Sequence, residues 1–148
     1  MTGPIHALRK VALLSLLALG AAACGSSSSA PPVVDAARST LAAAPAQAVA
    51  DGAAAVTLTA VARDAGGNPI AGRVAAFTVT GAGNVLSAAQ ATTAADGAAS
   101  VTVRSTRAEA KTARVTIDGV AVTQAAALAF VAGPPSAATS TLAVTGAP

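Results

Sequence analysis

Beyond residue 24 the chain contains no histidine, cysteine, tyrosine or tryptophan. Polar chemistry in that stretch falls to six carboxylates, the single lysine Lys111 and a set of arginines. No group there titrates near neutrality, so general acid–base catalysis has no natural agent. No serine stands in a Gly-x-Ser-x-Gly elbow, and without histidine a serine nucleophile has no base. No glycine-rich loop matches a phosphate cradle, and the lack of cysteine excludes both a thiolate metal site and an intradomain disulfide. The residues therefore argue against an enzyme and call for no cofactor.

Two groups of residues retain binding chemistry. Asp51, Asp64, Asp96 and Asp118 are hard oxygen ligands of the kind calcium takes. Calcium needs six or more converging oxygens, whereas these aspartates are spread one per turn, each beside or near a glycine. A turn favours aspartate in that setting, so the expectation is turn formation and no metal. Arg104, Arg107, Lys111 and Arg114 form a basic run broken by Glu109, with the charge to contact an acidic glycan or a phosphate. The same run also reads as a solvated loop and strand face, and no aromatic residue interleaves it for base stacking. The whole chain carries a formal charge of +3, but Arg9 and Lys10 belong to the leader described below, leaving seven basic groups against six acidic ones. A charge of +1 gives no electrostatic case for nucleic acid, and the sequence pI of about 10.0 overstates the basicity of the remainder.

The elements that must position these residues are short and extended. Asp64-Ala65-Gly66-Gly67-Asn68-Pro69-Ile70-Ala71-Gly72 combines aspartate, asparagine, paired glycines and proline, and predicts a turn between strands at 56–63 and 74–80. Further turn signals stand at Asp51-Gly52, Gly81 to Asn84, Asp96-Gly97 and Asp118-Gly119. Between them, alternation places Ala99, Val101 and Val103 on one face, Ala113, Val115 and Ile117 on another, and Ala126, Leu128 and Phe130 on a third. Thr102, Arg104, Arg114 and Thr116 then point to water. Phe77 and Phe130 fall on inward positions and read as core, not as exposed anchors. Alanine patches at 42–44, 53–55 and 125–127 favour helix by propensity, but glycine, proline and threonine interrupt them and no 3.6-residue stripe is sustained. The pattern predicts an all-β sandwich or barrel. Hydrophobic residues make up 53% of the chain and aromatics only 1%, so the core is rich in alanine and valine, and thin.

The ends have their own organisation. Residues 1–23 follow the three-part plan of a secretory signal: His6, Arg9 and Lys10, then an apolar run from Val11 to Leu19, then small residues up to Cys24. A cysteine at that point resembles a bacterial lipobox, although Ala21 stands where leucine is commonest. Lipidation of Cys24 and a membrane anchor are expected. Residues 24–34 form a Gly/Ser/Pro tether, too polar to fold alone. Gly25 after the cysteine lacks the aspartate associated with inner-membrane retention in some bacteria, which favours the outer membrane or cell surface. At the other end, Pro134-Pro135 and Ser140-Thr141-Leu142-Ala143 echo Pro31-Pro32 and Ser39-Thr40-Leu41-Ala42, with an offset of 101 residues from Ser39 to Ser140. That spacing is one immunoglobulin-size unit. The expected organisation is a domain over 35–132, then a linker and the start of a second, truncated repeat over 133–148.

Taken together, Ala50-Asp51-Gly52, Thr57-Leu58-Thr59-Ala60, the 64–72 turn with its Gly-Asn-Pro, Phe77-Thr78-Val79, Ala91-Thr92-Thr93 with Asp96-Gly97, and Val101-Thr102-Val103 resemble the bacterial Ig-like domain group 1 (Big-1), the repeat of intimin- and invasin-type adhesins. Ala62 stands where that family usually has a bulkier aliphatic residue, and Arg73 where an apolar one is common. The resemblance implies an immunoglobulin-like β-sandwich without a disulfide. It also implies a bacterial surface location, a spacer or adhesion role with a host or envelope protein or glycan as partner, and no catalytic residues.

Overall fold

The structure is a computed structural model and describes residues 31–135. The leader over 1–23, Cys24, most of the tether, and the 136–148 segment with its repeated motif lie outside the described residues. Within them the fold is an all-β sandwich with no helix. One sheet contains β1 (Thr40–Ala44), β3 (Ala55–Val61), β7 (Ala98–Ser105) and β5 (Asn84–Leu86), in the order β1-β3-β7-β5. The other contains β2 (Gln47–Val49), β10 (Ala126–Val131), β8 (Glu109–Ile117), β4 (Val74–Val79) and β6 (Gln90–Thr92), in the order β2-β10-β8-β4-β6, with β9 (Val120–Ala121) beside β8. All pairings are antiparallel except β10 with β2. Pro45 has no N–H to continue the ladder of β1, and the chain crosses there to the second sheet as β2.

Alternation determines what is buried. Along β3 the inward residues are Val56, Leu58 and Ala60, along β7 Ala99, Val101 and Val103, and along β8 Ala113, Val115 and Ile117. Phe77 and Phe130 are both buried, as are Leu41, Ile70, Val122 and Leu128. Six of the nineteen buried apolar residues are alanine: Ala60, Ala62, Ala75, Ala99, Ala113 and Ala126. Each alanine forgoes roughly 1.5–2.5 kcal/mol of burial relative to valine or leucine, so the larger side chains supply most of the apolar stabilisation. The alanine patches of the sequence lie in or beside strands, because cross-strand pairing and burial outweigh local helix propensity.

Two differences from the sequence reading bear on the end at which the chain enters. The strand expected over 56–63 ends at Val61, because Ala62 turns its amide to the Gly97 carbonyl (2.8 Å) and its own carbonyl accepts from the Ile70 amide (3.0 Å). Val34, placed in the tether by sequence, is buried in the core, and the Asp35 amide donates to the Arg63 carbonyl at 2.8 Å. The registers give the sandwich two ends. The chain enters at Val34 beside the loops at 62–73, 93–97 and 118–119, and leaves after Val131 beside the loops at 50–54, 80–83 and 105–108. Entry and exit are at opposite ends.

Candidate functional site

Three of the four aspartates are held by their own turns, and Asp118 is held by the start of β4. Asp51 Oδ1 accepts from the amides of Ala53 (2.8 Å) and Ala54 (2.7 Å), and Asp96 Oδ1 from Ala98 (2.9 Å). Asp64 accepts from the Asn68 amide at 2.8 Å and from the Asn68 side chain at 3.2 and 3.1 Å. Asp118 Oδ1 takes the Val74 amide at 2.9 Å, and its Oδ2 takes Arg73 at 3.1 Å. Among the described residues no three His, Cys, Asp or Glu side chains are gathered as a metal site would need.

At Asp51, Asp64 and Asp118 these bonds favour the charged carboxylate. The Ala54 and Ala53 amides lower the pKa of Asp51, the Asn68 side chain and amide lower that of Asp64, and the Val74 amide, with help from Arg73, lowers that of Asp118. Glu109 is lowered by Lys111 and by the Ala82 amide. A carboxylate whose folded pKa lies below its unfolded value stabilises the fold above the unfolded pKa and loses that contribution as pH falls through the folded one. With unfolded values of about 3.9–4.3 and no histidine in the domain, thermal melts should give a flat Tm from pH 8 to about 5 and a progressive fall below about 4. Circular dichroism melts across pH 2–8 measure this, and a Tm step between pH 5 and 8 would contradict it.

The 64–72 turn is locked into the entry end. The Gly67 amide donates to the Asp64 carbonyl (2.9 Å), Arg63 Nη1 donates to the Gly67 carbonyl (2.8 Å), and Pro69 bridges to Arg63. The buried Thr93 hydroxyl donates to the Ile70 carbonyl (2.8 Å), and the same oxygen accepts the Arg73 amide (2.9 Å). Loop backbone that would otherwise be unpaired is thereby satisfied, as buried backbone requires.

The basic run does not form one surface. Arg104 lies on the outward face of β7 in the first sheet, where with Val85, Ser87 and Thr102 it lines a shallow groove of about 120 Å³. Arg114 lies on the outward face of β8 in the second sheet, so the two guanidinium groups occupy opposite faces of the sandwich. Arg107 is exposed in the β7–β8 turn. Lys111 is not on the surface at all: its side chain is fully buried. Its Nζ donates to Glu109 Oε1 (2.6 Å) and to the Ala82 carbonyl (2.9 Å), while the Ala82 amide donates to the same Glu109 oxygen (2.9 Å). The reason is register, since Lys111 continues the inward face of Ala113, Val115 and Ile117, and its apolar stem extends its ammonium to the exit end. The ion pair closes the loop that carries the chain from β4 to β5, and Gly81 leaves room for it, since a Cβ there would overlap Glu109 Oε1.

Comparison with known proteins places this geometry. Residues 38–131 match the bacterial Ig-like domain (group 1). Among solved structures, the D00-D0 domain of intimin superposes with a TM-score of 0.58 at 26% identity, over 71% of this chain and 51% of that one. Invasin, described as a bacterial integrin-binding protein, gives 0.60 at 34% identity, over 70% of this chain and 21% of its own. The Yersinia pseudotuberculosis adhesin InvE gives 0.61 at 28% identity, over 68% and 28%. The chain thus spans about half of the intimin fragment and smaller shares of the other two. A search of curated proteins finds no match. With the sandwich, the disulfide-free core and the matched span of 94 residues all in agreement, the chain belongs to the bacterial Ig-like domain (group 1) family.

Proposed function

We propose that this protein is a non-enzymatic surface lipoprotein whose Ig-like domain acts as a spacer or adhesin-like module in cell adhesion. The observation that carries this reading is the chain path: the polypeptide enters one end of the sandwich and leaves at the other, so the domain adds its length to whatever it joins. The relationship to intimin, invasin and InvE supports an adhesive setting at a bacterial surface. In the proposal Cys24 carries the lipid, the segment up to Pro32 holds the domain off the membrane, and 133–148 is a linker and the start of a second, truncated repeat. An intact mass of membrane-extracted protein, together with detergent phase partitioning, tests the anchor. A diacylglycerol-modified Cys24 at the new N-terminus is the expected result, and an unmodified chain that stays in the aqueous phase would remove the anchor.

A second reading makes the domain a glycan- or protein-binding module, with host or envelope partners. The feature that favours it is the Arg104 groove beside Val85, which is 66% exposed. The two readings separate in one titration of the full chain against an acidic glycan and against envelope fractions. A spacer shows no saturable binding, and the Arg104→Glu and Arg107→Glu variants behave like wild type. A binder saturates and loses about tenfold or more in affinity when Arg104 is reversed.

A further inference from the structure

The entry end holds a second ion pair whose geometry is not needed to close a turn. Arg73 lies just before β4, and its guanidinium reaches in two directions. Nη1 donates to Asp118 Oδ2 at 3.1 Å, and Nη2 donates to the backbone carbonyl of Pro32 at 2.8 Å. Asp118 is itself fixed: its Oδ1 accepts the Val74 amide (2.9 Å), its amide donates to the Val74 carbonyl (2.9 Å), and its backbone adopts φ 47°, a left-handed conformation that aspartate tolerates better than most residues. The charged fork is therefore anchored on one side to a rigid turn and on the other to the incoming chain. Beside the fork lies a cavity of about 220 Å³ lined by the 31–34 segment, Arg73, Asp118 and Val120.

We infer that Arg73 is a strap that extends the rigid body of the domain outward from Val34 to Pro31-Pro32. Val34 is the first core residue, and Val33 is 74% exposed, so burial alone would leave the chain free to pivot immediately before Val34. The strap catches it two residues earlier. Pro31 and Pro32 have φ fixed by their rings, so holding the Pro32 carbonyl orients a stiff dipeptide. A planar guanidinium can serve a carboxylate and a carbonyl at once with fixed geometry, which a lysine ammonium on a flexible stem cannot reproduce. The inference holds whether the domain is a spacer or a binder, because it concerns only the joint.

The test is backbone ¹⁵N relaxation on the full chain in detergent micelles, comparing Val33 and Val34 with core amides such as Leu58 and Val103. In the wild type the order parameter of Val33 should match the domain at about 0.8, and in Arg73→Gln it should fall below about 0.6 while Val34, held by burial, and the core amides stay unchanged. Arg73→Lys keeps the charge and should release Val33 nearly as far. Asp118→Asn preserves the acceptor for the Val74 amide and tolerates the positive φ, so it loosens the strap without opening the turn, and it serves if Arg73→Gln perturbs the fold. Order parameters that are already low at Val33 in the wild type, or that stay high in all three variants, would overturn the inference.

Discussion

Replacing Phe77 with alanine will destabilise the domain by about 3–5 kcal/mol, the usual range for deleting a buried aromatic ring. Phe77 is the inward residue at the middle of β4, paired across to Val115 on β8, with its amide donating to the Ala89 carbonyl at 2.9 Å. Its side chain is one of only two phenyl rings in the chain, and Ala75, the adjacent inward position on β4, offers little compensating bulk. Domains of this size typically hold 5–15 kcal/mol in total, and an alanine-rich core without a disulfide belongs near the low end. The loss therefore removes most of the stability, and the Tm should fall by at least about 15 °C. Urea and thermal melts measure it, with Val85→Ala as the control, since that side chain is mostly exposed and its truncation should stay within about 0.5 kcal/mol. A Phe77→Ala protein that melts like wild type would show that the ring is not part of the core.

Gly97→Ala is expected to cost about 2–4 kcal/mol, combining a left-handed backbone penalty with overpacking. Gly97 has φ 76°, and a Cβ built on it would stand 2.6 Å from the Ala62 carbonyl oxygen, 3.0 Å from Pro69 Cβ and 3.1 Å from the Ile70 amide nitrogen. Those atoms cannot yield independently. The Ala62 carbonyl accepts from Ile70, the Ala62 amide donates to Gly97, and Ile70 is buried, so relief of the clash must move the whole 64–72 turn away from β7. Gly119→Ala is the matched comparison: φ there is 83° and no atom lies within 4 Å of its Cβ position, so only the backbone penalty of about 1–2 kcal/mol should remain. Equal losses for the two variants in chemical denaturation would mean that close approach at Gly97 contributes nothing.

Much of this architecture was legible from residue types at fixed spacing. The 64–72 turn is readable because aspartate, asparagine, glycine and proline each carry a local backbone preference, and the structure shows Asp64 and Asn68 bonded to each other as that preference requires. The inward sets on β7, β8 and β10 are readable because a strand has a strict period of two. The basic run was read by proximity along the chain, and that is where the reading departs from the structure. Arg104 and Arg114 are ten residues apart in sequence, yet the hairpin between them passes from one sheet to the other and turns them to opposite faces. Lys111 could have been placed correctly: extending the alternation of Ala113, Val115 and Ile117 back by one step puts it inside. Charge type suggested solvent, but register decided otherwise.

The sequence by itself determined the main strands, the turns and the absence of histidine and cysteine from the domain, because each follows from local preference or composition, and its motifs carried the resemblance to the family. Tertiary structure alone decided that the Lys111 ammonium meets the Ala82 carbonyl, that Arg73 joins Asp118 to the incoming Pro32, and that the chain enters and leaves at opposite ends. Those three features depend on which residues distant in sequence the two sheets bring within hydrogen-bonding distance, and no local preference encodes that.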